Sequence, residues 1–377
     1  MTVLAPRELS RPRRGTVSHW QALHGRYSAG TAHVPATADV VVTGGGVIGI
    51  AVAYWLARRG VRPLVLEVDD IAAGASGRNA GLVLAGRSQL EDPRLLRAVL
   101  QEEELDVGYA EHGHLALAAS ATVLAAFKTE AAGRPAGAPP LAVLDRADCE
   151  DLLGLELAPR FCGGRWLPGA ASVDPVAAVH GLADAAVRRG AAIVTAEVRS
   201  LEPRAAGGVR VTTDRGDVDA GVAVVACGIG AARLVPLAGA LTAHEAQMLA
   251  TEPAQRVFTI GLAVDWGSTY WRQTHDGVII LGGSAPLTGF LGDAFPSLSV
   301  PAIARRWTGV MDVTADGQPL VGRWPAASDR WLAAGFGGHG LPPALGVGRA
   351  LAESILDGRE VPELARFAPG RVLKAAR

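Results

Sequence analysis

Apolar residues run almost unbroken from Ala38 to Val42, pause at Gly44-Gly-Gly46, and resume from Val47 to Ala57. A short apolar run closed by glycines predicts a buried strand, and the longer run after it predicts a helix. Val61-Arg-Pro-Leu-Val-Leu-Glu67 then reads as a second strand. Between Asp92 and Glu104 the residues Leu95, Leu96, Val99 and Leu100 recur at helical spacing, and Asp106 to Leu117 reads as strand and turn. Ala131 to Pro140 is a loop, rich in residues that cannot continue a helix. Val173-Asp-Pro175 opens another helix, with the proline suited to its first turn. Strands are expected at about 191–199, 209–214 and 218–226, the last running into Cys227-Gly-Ile-Gly230. Residues 241–300 carry β-type runs, among them Val278-Ile-Ile-Leu-Gly-Gly-Ser284. A strand ending at Gly335 leads into Phe336-Gly-Gly-His-Gly340, and a last helix runs from Pro342-Pro343 to Gly358. No internal repeat is visible, and interleaved strands and helices make the chain α/β.

The first glycine turn adds chemistry to this pattern. Gly44, Gly46 and Gly49 complete G-x-G-x-x-G between a strand and a helix. The first glycine serves a tight turn, the second a close approach of backbone to a pyrophosphate, and the third close helix–strand packing. Amides at the helix start, with the helix dipole behind them, favour a phosphate. Glu67 stands 23 residues after Gly44, where an acid can accept from a ribose hydroxyl. The expected fold is therefore a Rossmann-type nucleotide-binding domain carrying an inserted, largely antiparallel α+β domain. The nucleotide-binding part is expected at 37–85, 146–233 and 318–377, the inserted part at 86–145 and 234–317, and residues 1–36 form a polar lead-in draped over the surface.

Bulk composition removes other classes. The chain has 377 residues, more than one core usually serves, and 36 basic against 37 acidic side chains. Such a balance gives no electrostatic case for nucleic acid. Cys149, Cys162 and Cys227 are scattered and form no metal or disulfide pattern. Arg11, Arg13 and Arg14 precede no apolar segment, so no secretory or twin-arginine signal is read there, and the Val47–Ala57 run is too short to span a bilayer. A cytoplasmic protein without membrane spans, compatible with homo-oligomeric assembly, is the expectation.

Several further blocks occur in one order: Gly74-Ala-Ser-Gly-Arg-Asn-Ala-Gly81, Ala223-Val-Val-Ala-Cys-Gly228, Tyr270-Trp-Arg-Gln-Thr-His-Asp-Gly277, Trp307 to Gly322 with its Asp316-Gly-Gln-Pro-Leu-Val-Gly322 end, and Gly335-Phe-Gly-Gly-His-Gly340. With the glycine turn they resemble the D-amino acid oxidase superfamily, the branch of glycine oxidase, sarcosine oxidase and γ-glutamylputrescine oxidase, over roughly 38–360. The resemblance implies FAD, a small amine or amino-acid substrate, hydride transfer from its C–N carbon to the flavin, and hydrolysis of the resulting imine. Molecular oxygen is the expected acceptor. The cofactor carries the hard step, so the protein's tasks are binding, orientation and electrostatics.

Carried onto this chain, the resemblance assigns Gly44, Gly46, Val47, Ile48, Gly49 and Glu67 to FAD, together with Ser76, Arg78, Asn79 and Ala80 after the second strand. Gly228, Gly335, Gly337, Gly338, His339 and Gly340 complete the cofactor set, and the loop before the last helix is expected to face the flavin N1–C2=O edge with amides and a helix dipole. Arg78 is expected to balance the pyrophosphate or to sit by the isoalloxazine. Tyr270 and Arg272 share a strand face and are expected in the substrate pocket with Met311 and Pro342. Tyr270, Arg272 and His339 are the catalytic candidates, and no metal is expected.

Three departures from the family pattern matter. Glycine oxidase-like members carry a carboxylate-binding arginine where Met311 stands, and sarcosine oxidase-like members a carboxylate-binding lysine where Pro342 stands. Neither residue offers a charge-assisted bond to a carboxylate. The flavin-linking cysteine of sarcosine oxidase-like members falls on Gly309, which points to non-covalent FAD. In addition, a lysine linked to oxygen activation falls on Ile280. The leading reading is an FAD-dependent oxidase of an amine or N-substituted amino acid. The alternatives are a dehydrogenase with a non-oxygen acceptor and a flavoprotein subunit of a hetero-oligomeric, sarcosine oxidase-like complex.

Overall fold

The structure, a computed structural model, describes residues 16–28, 33–84, 90–237, 239–283, 286–325, 329–359 and 361–375. Arg11, Arg13, Arg14, Ser284 and the expected domain boundary at residue 85 lie outside the described residues. Among those described, the strands form two large sheets and one small one. The first sheet contains β1 (Thr37–Thr43), β2 (Leu64–Glu67), β9 (Ala192–Thr195), β10 (Val198–Pro203), β11 (Val209–Thr213), β12 (Gly216–Val225), β18 (Leu320–Arg323) and β19 (Arg330–Ala334). Its centre is parallel, in the order β9-β2-β1-β12-β19.

The second sheet contains β5 (His114–Leu117), β6 (Ala142–Asp145), β7 (Gly163–Leu167), β13 (Leu241–Thr251), β14 (Gly261–Val264), β15 (Thr269–Gln273), β16 (Ile279–Gly283) and β17 (Ile303–Thr314). All its pairings are antiparallel except β5 with β14. A small third sheet joins β3 (Leu82–Val83), β8 (Ala171–Ser172) and β4 (Ala110–Glu111). β7 pairs between β5 and β6, so it sits in the second sheet although residue 146 was the expected return to the nucleotide-binding part.

The helix Val47–Arg58 is buried on nearly every side because two other helices pack on it. One is Pro175–Arg188, started by Asp174 as N-cap and Pro175 in the first turn. The other is Ala344–Asp357, where a Cβ at Gly348 would lie 2.7 Å from the Ala51 carbonyl carbon, so glycine permits the close approach. No helix among the described residues is long and apolar enough to cross a membrane.

The described part of the lead-in from residue 16 to 28 does not drape. His19–His24 forms a helix capped by Ser18 and docks on the segment after β2. Ser18 Oγ donates to Gly77 O (2.6 Å), Trp20 Nε1 to Asn79 O (2.8 Å) and Gln21 Nε2 to Ala72 O and Ala73 O (both 3.1 Å). Trp20 is 3% exposed, and the Arg272 guanidinium lies 4.9 Å from its ring centroid, in cation–π contact. Trp20 therefore joins three segments that are distant in sequence. Trp20→Ala should lower stability by about 3–5 kcal/mol, the range for truncating a buried aromatic, as read from the denaturant midpoint. A midpoint unchanged from the parent would show that this docking carries no load.

Candidate active site

Glycine turns gather at the C-terminal ends of the parallel strands. Gly44 has φ +109°, and a Cβ there would lie 2.6 Å from Ala226 O on the neighbouring strand end. A Cβ at Gly49 would run into the Gly44 carbonyl. These two glycines fix how closely helix and strand pack, as the motif requires. Gly46 is the N-cap of Val47–Arg58 and has no side chain with which to cap it. A Cβ at Gly46 would stand 3.0 Å from Ser76 Oγ, which accepts the Val47 amide at 2.9 Å. The Ile48 and Gly49 amides lie in the first turn, where a helix supplies no acceptor of its own. Glu67 ends β2 with its carboxylate accepting the Gly45 amide (2.6 Å) and the Asp69 amide (3.0 Å). Burial pushes the Glu67 carboxyl up, against the pull of those amides. Close-fitting glycines, first-turn amides and a buried acid fit the dinucleotide part of FAD.

The second sheet presents one face to this cradle. Cross-strand register sets Tyr270, Gly282, Met248 and Trp307 in a row across β15, β16, β13 and β17. The next rows on the same face pair Ala246 with Gly309 and His244 with Met311. Tyr270 Oη donates to Met248 Sδ at 3.3 Å, and burial alone pushes its phenol up to about 12. Tyr270 thus stays protonated at neutral pH. A Cβ at Gly282 would lie 2.7 Å from the Tyr270 ring and would collide with Met248 Sδ. A Cβ at Gly309 would touch Arg78 Cβ at 3.5 Å, which places this face against the segment after β2. Met311 Sδ packs onto Gly338, in the loop before the last helix. His339 belongs to that loop, its Nδ1 3.1 Å from Gly337 O. Pro342 follows, half-buried, and Pro343 caps Ala344–Asp357. Gly228 has φ +56° and faces Asp312, with 3.9 Å from a Cβ to Oδ2.

Two expected roles are corrected by the hydrogen bonds. Arg272 gives Nε to Ala80 O (2.6 Å) and Nη2 to Val173 O (2.8 Å) while stacking on Trp20. It is 7% exposed, and burial pushes its guanidinium down to about 10. It is a joint between sheets rather than a free clamp for a substrate carboxylate. Arg78 gives Nε to Ala73 O (2.9 Å) and Nη1 to Thr16 O (2.9 Å) and Thr308 O (3.1 Å), so its donors are aimed at backbone rather than at a pyrophosphate. Asn79 likewise shapes the loop, donating to Ala75 O and Ser76 O and accepting the Gly81 amide.

Asp312 is a site residue that sequence reading missed. Its carboxylate accepts the Gly335 amide at 2.5 Å and its carbonyl accepts the Gly337 amide at 2.9 Å, so β17 holds the glycine loop by side chain and backbone together. Its neighbour Val313 bridges to Phe336. Burial pushes the Asp312 carboxyl up to about 6, outweighing the Gly335 amide. A cavity of about 580 Å³ lined by Arg97, Leu100, Glu104, Tyr109 and Glu111 lies elsewhere and shares none of these residues. Among the described residues no group of three or more His, Cys, Asp or Glu could hold a metal.

A parallel sheet ending in this cradle, with a second sheet laid against it, defines a dinucleotide-binding oxidoreductase. The chain belongs to the FAD dependent oxidoreductase family, which matches residues 39–354, and its cofactor is FAD. An opine oxidase subunit of Agrobacterium tumefaciens (strain Ach5) is 29% identical over 332 residues, 77% of this chain and 86% of that protein. Mitochondrial dimethylglycine dehydrogenase of Mus musculus is 26% identical over 385 residues, 89% of this chain and 44% of that longer protein. L-proline dehydrogenase from P. horikoshii superposes with a TM-score of 0.78 at 23% identity, covering 91% of this chain and 99% of its own. Glycine oxidase from Geobacillus kaustophilus superposes at 0.77 with 22% identity, covering 89% and 98%. At such identities these two structures show the fold.

Two measurements test the site. Gly46→Val should purify folded but without flavin, since φ at Gly46 (−77°) suits any residue while the added methyls fill the cradle. A full flavin-to-protein absorbance ratio would refute the cradle. The second concerns pH. Asp312 titrates higher folded than unfolded, so the folded chain binds the extra proton between about pH 4 and 6, and this group's contribution falls as pH rises through that window. Asp312→Asn keeps an acceptor for the Gly335 amide and removes the charge. Its thermal midpoint should exceed the parent's at pH 8 and lose that advantage at pH 4. An advantage of equal size at both would refute the buried-charge reading.

Proposed function

We propose that this chain oxidises the C–N bond of an amine or N-substituted amino acid, giving an imine that water hydrolyses, with FAD held non-covalently and oxygen as acceptor. The observation that carries this reading is the apolar and aromatic sheet face of Tyr270, Met248, Trp307 and Met311 set against the glycine cradle. Bound FAD would supply the hydride acceptor. The chain supplies the rest. Tyr270 and Met248 form an apolar wall on which a substrate carbon can rest, and Gly282 keeps that wall low. The Gly337–Gly340 loop brings amides and the dipole of the Ala344–Asp357 helix to one edge of the site, where negative charge is favoured. Met311 and Pro342 replace the cations that relatives are expected to use for a carboxylate, and Arg272 is committed to backbone. N-substituted substrates accord with the names of two relatives, the opine oxidase and dimethylglycine dehydrogenase. Gly309 in place of a flavin-linking cysteine supports non-covalent attachment.

A second reading, a flavoprotein that needs partner chains, is favoured by the first of those relatives, which is named as one subunit of its enzyme. Anaerobic flavin bleaching over amines, N-alkyl glycines and D-amino acids tests both. Larger N-substituted substrates should bleach the flavin at least about tenfold more efficiently than free glycine or sarcosine, the equivalent of one lost charge-assisted bond of about 1.5–3 kcal/mol. Air should then restore the colour with formation of hydrogen peroxide. Bleaching without reoxidation by air points to another acceptor, failure to bleach with any amine defeats the proposal for the isolated chain, and efficient turnover of glycine defeats the argument from the missing clamp.

A further inference from the structure

We infer that Asp312 is a ligand of the cofactor as well as an anchor of the glycine loop. Its carboxylate oxygen Oδ1 accepts a hydroxyl of the polyol chain that joins the FAD pyrophosphate to the isoalloxazine. The inference needs FAD and no particular substrate. The two oxygens of this carboxylate have different surroundings. Oδ2 accepts the Gly335 amide at 2.5 Å. Oδ1 takes no donor from the described residues, and it is not one of the sealed side-chain atoms that lack a partner, so it keeps accessible surface. Burial nevertheless pushes the carboxyl up to about 6, in a residue that is only half-buried. An oxygen in contact with open space and yet poorly hydrated stands at the floor of a recess, not on the outer surface.

The place of the recess says what enters it. The parallel strands β1, β12 and β19 are neighbours in that order, so the Gly44–Gly46 turn, Gly228 and Gly335 follow one another along the C-terminal edge of the first sheet. With neighbouring strands about 4.8 Å apart, Gly335 lies roughly 10 Å across from the cradle. A Cβ at Gly228 would stand 3.9 Å from Asp312 Oδ2, so Asp312 fronts the gap between the last two strand ends. Side-chain alternation sets it on the opposite face of β17 from Trp307, Gly309 and Met311, away from the Tyr270 row. A dinucleotide whose pyrophosphate rests on the Val47 helix, and whose flavin lies toward the glycine loop, crosses these strand ends with the chain between the two.

Chemistry then selects the group. An ionised carboxylate only accepts. A pyrophosphate brings no proton at neutral pH and is repelled by it, whereas a polyol brings several hydroxyls. Hydrogen bonds from a hydroxyl to a carboxylate are short and about twice as strong as neutral ones. The flavin N3–H is the other donor on that side of the cofactor, and the test separates the two.

The test is the dissociation constant of the flavin-stripped parent and of Asp312→Ala for FAD, its 2′-, 3′- and 4′-deoxyribityl analogues and N3-methyl FAD. Flavin fluorescence reads binding, and the thermal midpoint is the control. In the parent one deoxy analogue should bind about tenfold to hundredfold more weakly than FAD, the range for one lost bond to a charged group. In Asp312→Ala the same analogue and FAD should bind within about twofold of each other, because hydroxyl and carboxylate are two ends of one interaction. An Ala variant that weakens FAD and every analogue by one common factor shows an anchor only and overturns the inference. So does a parent indifferent to every deoxy analogue, or a coupling of Asp312 to the N3-methyl analogue instead. If Asp312→Ala does not fold, Asp312→Asn is read in its place. It keeps an acceptor for the Gly335 amide without the charge, and the deoxy penalty should shrink severalfold. A crystal structure of the flavin-loaded parent decides independently of any variant. A ribityl oxygen about 2.5–3.0 Å from Oδ1 is expected, and water alone on Oδ1 overturns the inference.

Discussion

The site depends on one constraint: the segment after β2 lies against the N-terminal helix, β15 and β17, and its carbonyls must find donors. A buried carbonyl without a partner is costly, and within this segment a single short helical turn, Ala75–Gly77, supplies few partners of its own. Side chains do so instead. Asn79 serves Ala75 O and Ser76 O, Ser18 serves Gly77 O, Trp307 serves Arg78 O, Trp20 serves Asn79 O, and Arg272 serves Ala80 O. The donors come from the N-terminal helix, β15, β17 and the segment itself. The position of Ser76 beneath Gly46, and hence the shape of the cradle, is set by this network.

That network explains what the sequence made legible. The Gly44–Gly49 turn could be read because strand, turn, helix and acid are contiguous, and their geometry follows from local sterics at Gly44 and Gly49. The helix at Pro175 and the last helix after Pro342 announce themselves through prolines that suit a helix start. Arg78 and Arg272 were read as ligand-facing cations, whereas their donors reach backbone carbonyls. Their partners, Thr308 O and Ala80 O, lie 230 and 192 residues away in sequence, and no spacing rule reaches that far. Trp20 was hidden for the same reason, in a polar lead-in whose composition resembles a surface segment. Asp312 left a weak signal: an acid inside a strand, at the end nearest the glycine loop.

The sheet face opposite the cradle is shaped by glycine and sulfur. Gly282 and Gly309 stand where any side chain would strike Tyr270 and Met248 or fill the gap to Arg78. Their absent side chains leave a low surface bounded by Trp307 and Met311, whose side chains are apolar and adaptable. The polar groups at its margin are the Tyr270 hydroxyl, which donates to Met248 Sδ, and the amides of the glycine loop.

Could a substrate carboxylate draw Arg272 out of its joint? The guanidinium would have to release Ala80 O and Val173 O into a buried setting, each losing its charge-assisted partner. Hydrogen bonds to charged groups are worth about 1.5–3 kcal/mol each, so the exchange sets two such bonds against the one or two that a carboxylate could return. It would also strip the cation from the face of Trp20 and loosen the contact on which the N-terminal helix depends. The exchange therefore runs uphill before any distortion of β15 is counted. Arg272 is thus held in the architecture by its two backbone partners and by the face of Trp20.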